Sequence, residues 1–242
     1  MKQIYGLKRI IFITAILMVC SGIPSNAADR LAHFVILHTN DVHSHLLPFS
    51  YPQIAGSDDE YAEMAQRKNI GGAARRATLI KQIKAQTKSP VLVLDAGDTI
   101  DGSPFSIEFH GEADFAAMNG IHYDAMTIGN HEFSNPFAQF SKCLKLANFP
   151  VLGANVFLKK SGRPLLKPYI IKSEDGMKVA ILGLTTILDY KTSMSDVVNI
   201  EDPIKVARTW VPRLRKQADA VIVLSHIGID LDKQLAAQVP GI

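Results

Sequence analysis

Cysteine is nearly absent from the 242-residue chain, which has only Cys20 and Cys143. Cys20 lies in a segment read below as removed, so Cys143 would stand alone and no internal disulfide could form, even in an oxidising compartment. An excess of one charge is missing as well. Lys2, Lys8 and Arg9 are the only charged residues of the first 27, so without them the 26 Lys and Arg fall to 23, equal to the 23 Asp and Glu. The formal +3 belongs to that leading segment, and no basic tail or cationic stripe remains to neutralise the phosphates of a nucleic acid polymer. Repeats and low-complexity tracts are also lacking. What is present, 47% hydrophobic and 20% charged residues, is enough for one sizeable packed core and excludes a disordered chain.

The one conspicuous apolar run, Ile10 to Cys20, follows the three basic residues and precedes the small, polar stretch "SGIPSNAA". This is the pattern of a secretory signal peptide over residues 1–27, with Ser25 and Ala27 three and one positions before the cut. An uncleaved anchor is disfavoured because so short a run spans a bilayer poorly. A lipid-modified Cys20 is disfavoured by the bulk of Val19. The expectation is a secreted or periplasmic protein with no membrane attachment after cleavage.

Downstream, short Val/Ile/Leu runs alternate with longer amphipathic stretches. Strand-like runs are His33 to Thr39, Val91 to Ala96, "AMTIG" from Ala125, Pro150 to Asn155, Lys178 to Leu184 and Ala220 to His226. Helix-like segments are Gly72 to Ala85, Ala113 to Met118, Phe137 to Leu146, Ile204 to Gln217 and Leu231 to Gln238. Such alternation predicts an α/β domain, with helices covering strands buried on both faces. Pro48 to Gln66 reads as a long surface loop.

The polar residues gather just after strands: "NDVHSH", "GDTIDG", "GNHEFSN" and "SHIGID". Open α/β sheets bind ligands at the carboxyl ends of their strands, where these loops would converge. Asp41 and His43, two apart in extended chain, can turn toward one point. Gly97 allows the tight turn that projects Asp98, Asn130 offers a carbonyl oxygen beside His131, and His226 adds an imidazole. Carboxylate and imidazole without cysteine suit Zn²⁺, Mn²⁺ or Fe. His45 is expected at the rim, and Asp95 and Asp101 are expected to fix the turn through backbone hydrogen bonds. Arg75 is expected to be a surface residue.

The ordered set "NDVH", "GDTIDG", "GNHEF" and "SHIG" resembles the calcineurin-like metallophosphoesterases. The longer forms "ILHTNDVHSHL", "GGAARRATLI" and "YDAMTIGNHEF" are similar to the bacterial 5′-nucleotidase branch, whose members are exported and hydrolyse nucleotides. The resemblance spans roughly Phe34 to Ile242. It implies a β-sheet sandwich flanked by helices and two divalent cations (Zn, Mn, Mg or Fe). Asp41 and His43 would hold one, Asp98 would bridge both, and Asn130 and His226 would hold the second. His131 would be the catalytic group at the phosphate of a nucleotide or other phosphate ester, with a two-metal-activated water attacking in line.

Two departures from that pattern carry expectations of their own. Ser134 stands where many relatives place an Asp that supports the catalytic histidine, so activity is expected to fall unless another carboxylate substitutes. The Gly-His-x-His or Gly-His-x-Gln motif that follows "SHIG" in the family does not occur before Ile242, and neither does the nucleotide-binding C-terminal domain. Residues 28–242 are therefore expected to be a metallophosphoesterase domain lacking its C-terminal strands, a fragment or the product of an interrupted gene, with an apolar sheet edge left unpaired. The alternatives are a catalytically impaired metal-binding domain, or a related hydrolase of nucleotide sugars or sulfur-linked substrates.

Overall fold

The computed structural model describes residues 33–50 and 66–242. The signal-peptide segment and residues 51–65 of the expected surface loop lie outside the described residues.

Four parallel strands, β1 (Val35–Thr39), β2 (Val91–Asp95), β3 (Ala125–Thr127) and β4 (Val151–Leu152), form a sheet in the order β1-β2-β3-β4. A short antiparallel pair joins β5 (Val156–Leu158) to β8 (Val198–Ile200). A second sheet has the order β6-β7-β9, with β6 (Tyr169–Glu174) antiparallel to β7 (Met177–Thr185) and β7 parallel to β9 (Ala220–His226). The helices are α1 (Ala73–Gln86), α2 (Pro104–Phe109), α3 (Glu112–Ile121), α4 (Phe137–Leu146), α5 (Pro203–Leu214) and α6 (Ile229–Gln238). Among the described residues no helix is long and apolar enough to cross a membrane.

Apolar side chains order these elements into helix, sheet, sheet and helix layers. Leu92 and Leu94 of β2 pack with Leu152, Val179, Ile181 and Leu224 between the sheets. The sheets approach so closely that a Cβ at Gly183 would lie 2.4 Å from the Leu152 Cβ. On one outer face Ile80, Phe115, Met118 and Phe140 bring α1, α3 and α4 onto Val93 and Met126. On the other, Val206, Val211 and Leu235 bring α5 and α6 onto Leu182 and Leu184. Each such fully buried side chain contributes about 1.5–3 kcal/mol relative to exposure. The expected helix-flanked sandwich is thus observed.

Strand burial departs from expectation at β1, where alternate residues are more exposed and Ile36 is 41% accessible. β1 is the edge of its sheet, and Ile36 and His38 line a cleft of about 630 Å³ shared with Ile222 and Ile229. A strand with cover on one face only shows the alternation that interior parallel strands lack. β6 and α2 were not anticipated, although each carries a local signal. Asp175 and Gly176, both at positive φ (48° and 76°), make the two-residue turn between β6 and β7. Ser103 caps α2 by accepting from the Phe105 amide, with Pro104 in the first turn.

One buried polar contact supports the loop after β1. The Ser44 hydroxyl donates to Asp114 Oδ2 at 3.0 Å, both residues are buried, and Asp114 Oδ1 has no hydrogen-bond partner among the described residues. Burial raises the Asp114 pKa to about 6. A carboxyl whose folded pKa lies above its unfolded value near 3.8 favours folding below that value and loses this contribution as pH rises toward 6. Asp114→Asn, which mimics the neutral acid, is therefore expected to gain about 1–3 kcal/mol of stability at pH 7–8 and little at pH 4. Equal changes at both pH values in thermal melts would contradict this.

Candidate metal centre

The loops after β1 and β2 run side by side, extending the strand pairing beyond the sheet. Amides of Asp41, His43 and Ser44 donate to the carbonyls of Gly97, Asp98 and Thr99 at 2.9, 3.0 and 2.8 Å. This pairing holds Asp41, His43 and Asp98 at φ 52°, 48° and 53°, the left-handed region that residues other than glycine seldom adopt. Such strain costs on the order of 1 kcal/mol per residue and persists where surrounding contacts over-determine it, as at functional sites.

The β3 loop meets the β2 loop through its backbone. A Cβ at Gly97 would fall 2.3 Å from the Gly129 nitrogen, and one at Gly129 would fall 2.1 Å from Asp98 Oδ1. Glycine at both positions lets the chains touch, and the His131 amide then donates to Asp98 Oδ1 at 2.8 Å.

Asp98 is 3% accessible and central to the cluster. Its Oδ2 lies 3.3 Å from His226 Nε2 and 3.9 Å from His43 Nε2, while His43 Nε2 lies 3.7 Å from Asp41 Oδ1. Two groups of donor atoms each fall within 4.8 Å of one another: His43, Asp98 and His131, and Asp41, Asp98 and His226. Asn130 joins the second group, its Oδ1 being 3.3 Å from His226 Nε2. All six side chains singled out in the sequence therefore come together. His131, read from the sequence as a reacting group, stands in the same shell as the candidate ligands, its ring 4.8 Å from that of His43 and edge-on to it.

The electrostatics suit a cation. Burial works to raise the Asp98 pKa, but hydrogen bonds from His226 and the His131 amide outweigh it and hold the carboxyl below its ordinary value. Burial works to lower that of His226, but its hydrogen bond to Asp98 and the Asp98 charge carry it up to about 9. The Nδ1–H of His226 donates to the Ala96 carbonyl at 2.8 Å, which turns Nε2 toward Asp98. A divalent cation replacing the proton on Nε2 would find carboxylate, imidazole and amide oxygen and no sulfur, a donor set that fits Zn, Mn, Mg or Fe.

Several contributors escape sequence reading. Glu132 is fully buried, and its carboxylate accepts from the amides of Gly129 (2.6 Å), Asp98 (2.9 Å), Thr99 (2.9 Å) and Ile100 (3.3 Å). Burial and the Asp98 charge push its pKa to about 7 despite those donors. Tyr190 accepts from Asn130 Nδ2 at 3.0 Å, which directs the amide oxygen toward His226. Asp101 does more than fix its turn: Oδ1 accepts from the Gly102 amide at 2.9 Å, while Oδ2 lies 3.0 Å from His131 Nδ1. Asp95 keeps the expected turn role, accepting from the Gly97 amide at 2.9 Å and also from the hydroxyls of Thr39 and Thr99. His45 stays at the rim, its ring in tilted contact with that of Phe49. Arg75 is exposed and bonded to the Asn69 carbonyl, whereas Arg76 lines a pocket of about 490 Å³ beside Asp41 and His43.

The sandwich and the histidine–aspartate cluster define a metallophosphoesterase architecture. A profile described as calcineurin-like phosphoesterase matches residues 34–240, and the chain belongs to this family. It is 34% identical to the 5′-nucleotidase of Vibrio cholerae over 253 residues, an alignment covering 100% of this chain and 43% of that protein. The protein UshA of Escherichia coli is 32% identical over 88% of this chain and 37% of its own length. Among solved structures, the NAD nucleotidase of Haemophilus influenzae superposes with a TM-score of 0.71 at 33% identity, over 83% of this chain and 35% of that one. The chain thus spans about 37–43% of the length of these curated relatives.

Proposed function

We propose that residues 28–242 form an exported phosphoester hydrolase domain of the 5′-nucleotidase type, released from a signal peptide at residues 1–27 and using two divalent cations to free phosphate from nucleotides. Asp41, His43 and Asp98 would hold one cation, and Asp98, Asn130 and His226 the other; Asp41 lies close to both sets, 3.7 Å from His43 Nε2 and within the group of Asp98 and His226. Bound in this way, the cations supply Lewis-acid stabilisation of phosphate charge and a water acidic enough to attack near neutral pH.

The chain's own residues prepare that chemistry. Asp98 accepts from the His131 amide with Oδ1 and turns Oδ2 toward His226, so its orientation is set by the chain and Asp98 would be ready to hold a cation. The Ala96 carbonyl commits His226 to presenting Nε2, and Tyr190 commits Asn130 to presenting oxygen. With Nδ1 of His131 engaged by Asp101, Nε2 is the nitrogen left to meet the phosphate or protonate the leaving oxygen.

The observation that most supports this reading is the convergence of four separate loops on one buried carboxylate, Asp98. The relatives' names, 5′-nucleotidase and NAD nucleotidase, favour nucleotide substrates. The test is hydrolysis by purified mature chain with Mn²⁺ or Zn²⁺, read as phosphate release from AMP and UMP and as mononucleotide formation from NAD and a nucleotide sugar. Release from the mononucleotides, abolished by chelator, is expected. Metal binding without hydrolysis of any of them would replace this reading with that of an impaired metal-binding domain.

A further inference from the structure

We propose that Asp101, from the loop after β2, is the positioning residue for His131, and that it replaces functionally the carboxylate expected at position 134. The inference rests on the hydrolase reading above and adds a residue to it.

The geometry has three parts. Asp101 Oδ2 stands 3.0 Å from His131 Nδ1, at hydrogen-bonding distance, while Oδ1 is pinned by the Gly102 amide at 2.9 Å. The carboxylate is therefore anchored at one oxygen and free to orient an imidazole with the other. Asp101 itself sits at φ 71°, an unfavourable backbone held by the turn that delivers it. Finally, the 3-10 turn His131–Phe133 is closed by the Ser134 amide donating to the His131 carbonyl at 2.9 Å, so position 134 lies directly beyond the histidine.

These contacts meet the exception in the expectation attached to Ser134, that another carboxylate substitutes. A carboxylate accepting from Nδ1–H fixes a histidine's tautomer and, unlike a neutral carbonyl, brings the charge that stabilises its cationic form. Here that partner arrives from 30 residues upstream rather than from the same turn. Asp101 thus takes the Gly102 amide on one oxygen and faces His131 Nδ1 with the other. An aspartate at 134 would bring a second negative charge toward Asp101, and like charges at close range oppose one another. Serine is then the residue compatible with a carboxylate at 101.

The experiment is a carboxylate swap with two readouts. In metal-free wild type, long-range ¹H–¹⁵N correlation of the His131 ring, at a pH where the ring is neutral, should show the Nδ1–H tautomer. Asp101→Asn should shift it toward Nε2–H, because an amide can donate to Nδ1. The double variant Asp101→Asn with Ser134→Asp should restore Nδ1–H.

In turnover, Asp101→Asn should lower kcat by about 10²–10⁴-fold with KM little changed. The loss should be larger for a nucleoside leaving group than for nitrophenolate, which departs without a proton. Ser134→Asp alone should give no gain, and the double variant should exceed Asp101→Asn. Recovery in the double variant cannot come from a damaged fold. An Nε2–H tautomer in wild type, or a gain in turnover from Ser134→Asp with Asp101→Asn silent, would overturn the proposal. If wild type hydrolyses nothing, the hydrolase reading fails while the tautomer measurement still decides the pairing.

Discussion

Asp98→Asn is expected to abolish phosphate release and weaken divalent-cation binding while leaving the fold in place. Asparagine has nearly the same shape, tolerates the positive φ of 53° at this position, and its Oδ1 can still accept from the His131 amide. What it loses is the charged oxygen that faces His226 and His43. Electrostatic stabilisation by a bound cation amounts to several kcal/mol, so the rate should fall by about 10³-fold or more. Calorimetric titration with Mn²⁺ and phosphate release from AMP, each beside a thermal melt, read the three quantities separately. A variant that kept its metal affinity and turnover would remove Asp98 from the centre of the site.

The second large effect is on stability. Glu132→Ala would strip the acceptor from four backbone amides, those of Gly129, Asp98, Thr99 and Ile100, in a region closed to water. Each buried donor left unsatisfied costs about 1–3 kcal/mol, and the vacated volume adds to the loss. The expected destabilisation exceeds about 4 kcal/mol, a large share of the 5–15 kcal/mol typical of a domain. Glu132→Gln should be milder but still harmful, because its NH₂ would face other N–H donors. Chemical denaturation of both variants checks the order. The same change should disorganise the site, since Glu132 clamps the loop bearing Asp98 to the one bearing Asn130 and His131. If Glu132→Ala melted like wild type, the clamp would be a contact without energetic weight.

The two effects separate by design. Asp98 faces the candidate cation site and is expected to act on binding and rate, whereas Glu132 faces the interior and is expected to act on the loops that hold Asp98. Melts and titrations on the same preparations distinguish them: the first variant should change titrations more than melts, and the second should change both.

The sequence by itself determined the alternation of elements and the residue types at the strand ends. Buried parallel strands require continuous apolar runs, and polar residues that follow such runs must emerge at the sheet's carboxyl edge. Asp41, His43, Asp98, Asn130, His131 and His226 could therefore be placed in one region from order and spacing alone. Tertiary structure decided which way each neighbouring charge points. Glu132 follows His131 in the chain, yet the 3-10 turn sends one side chain inward to the amides of the β2 loop and the other toward the candidate ligand cluster. Asp101 reads as a turn residue until the β3 loop brings His131 Nδ1 to 3.0 Å from it. Ser44 and Asp114 meet across 70 residues. Local periodicity carries no information about such pairings, because hydrogen bonds between loops depend on how the sheets and turns register in three dimensions.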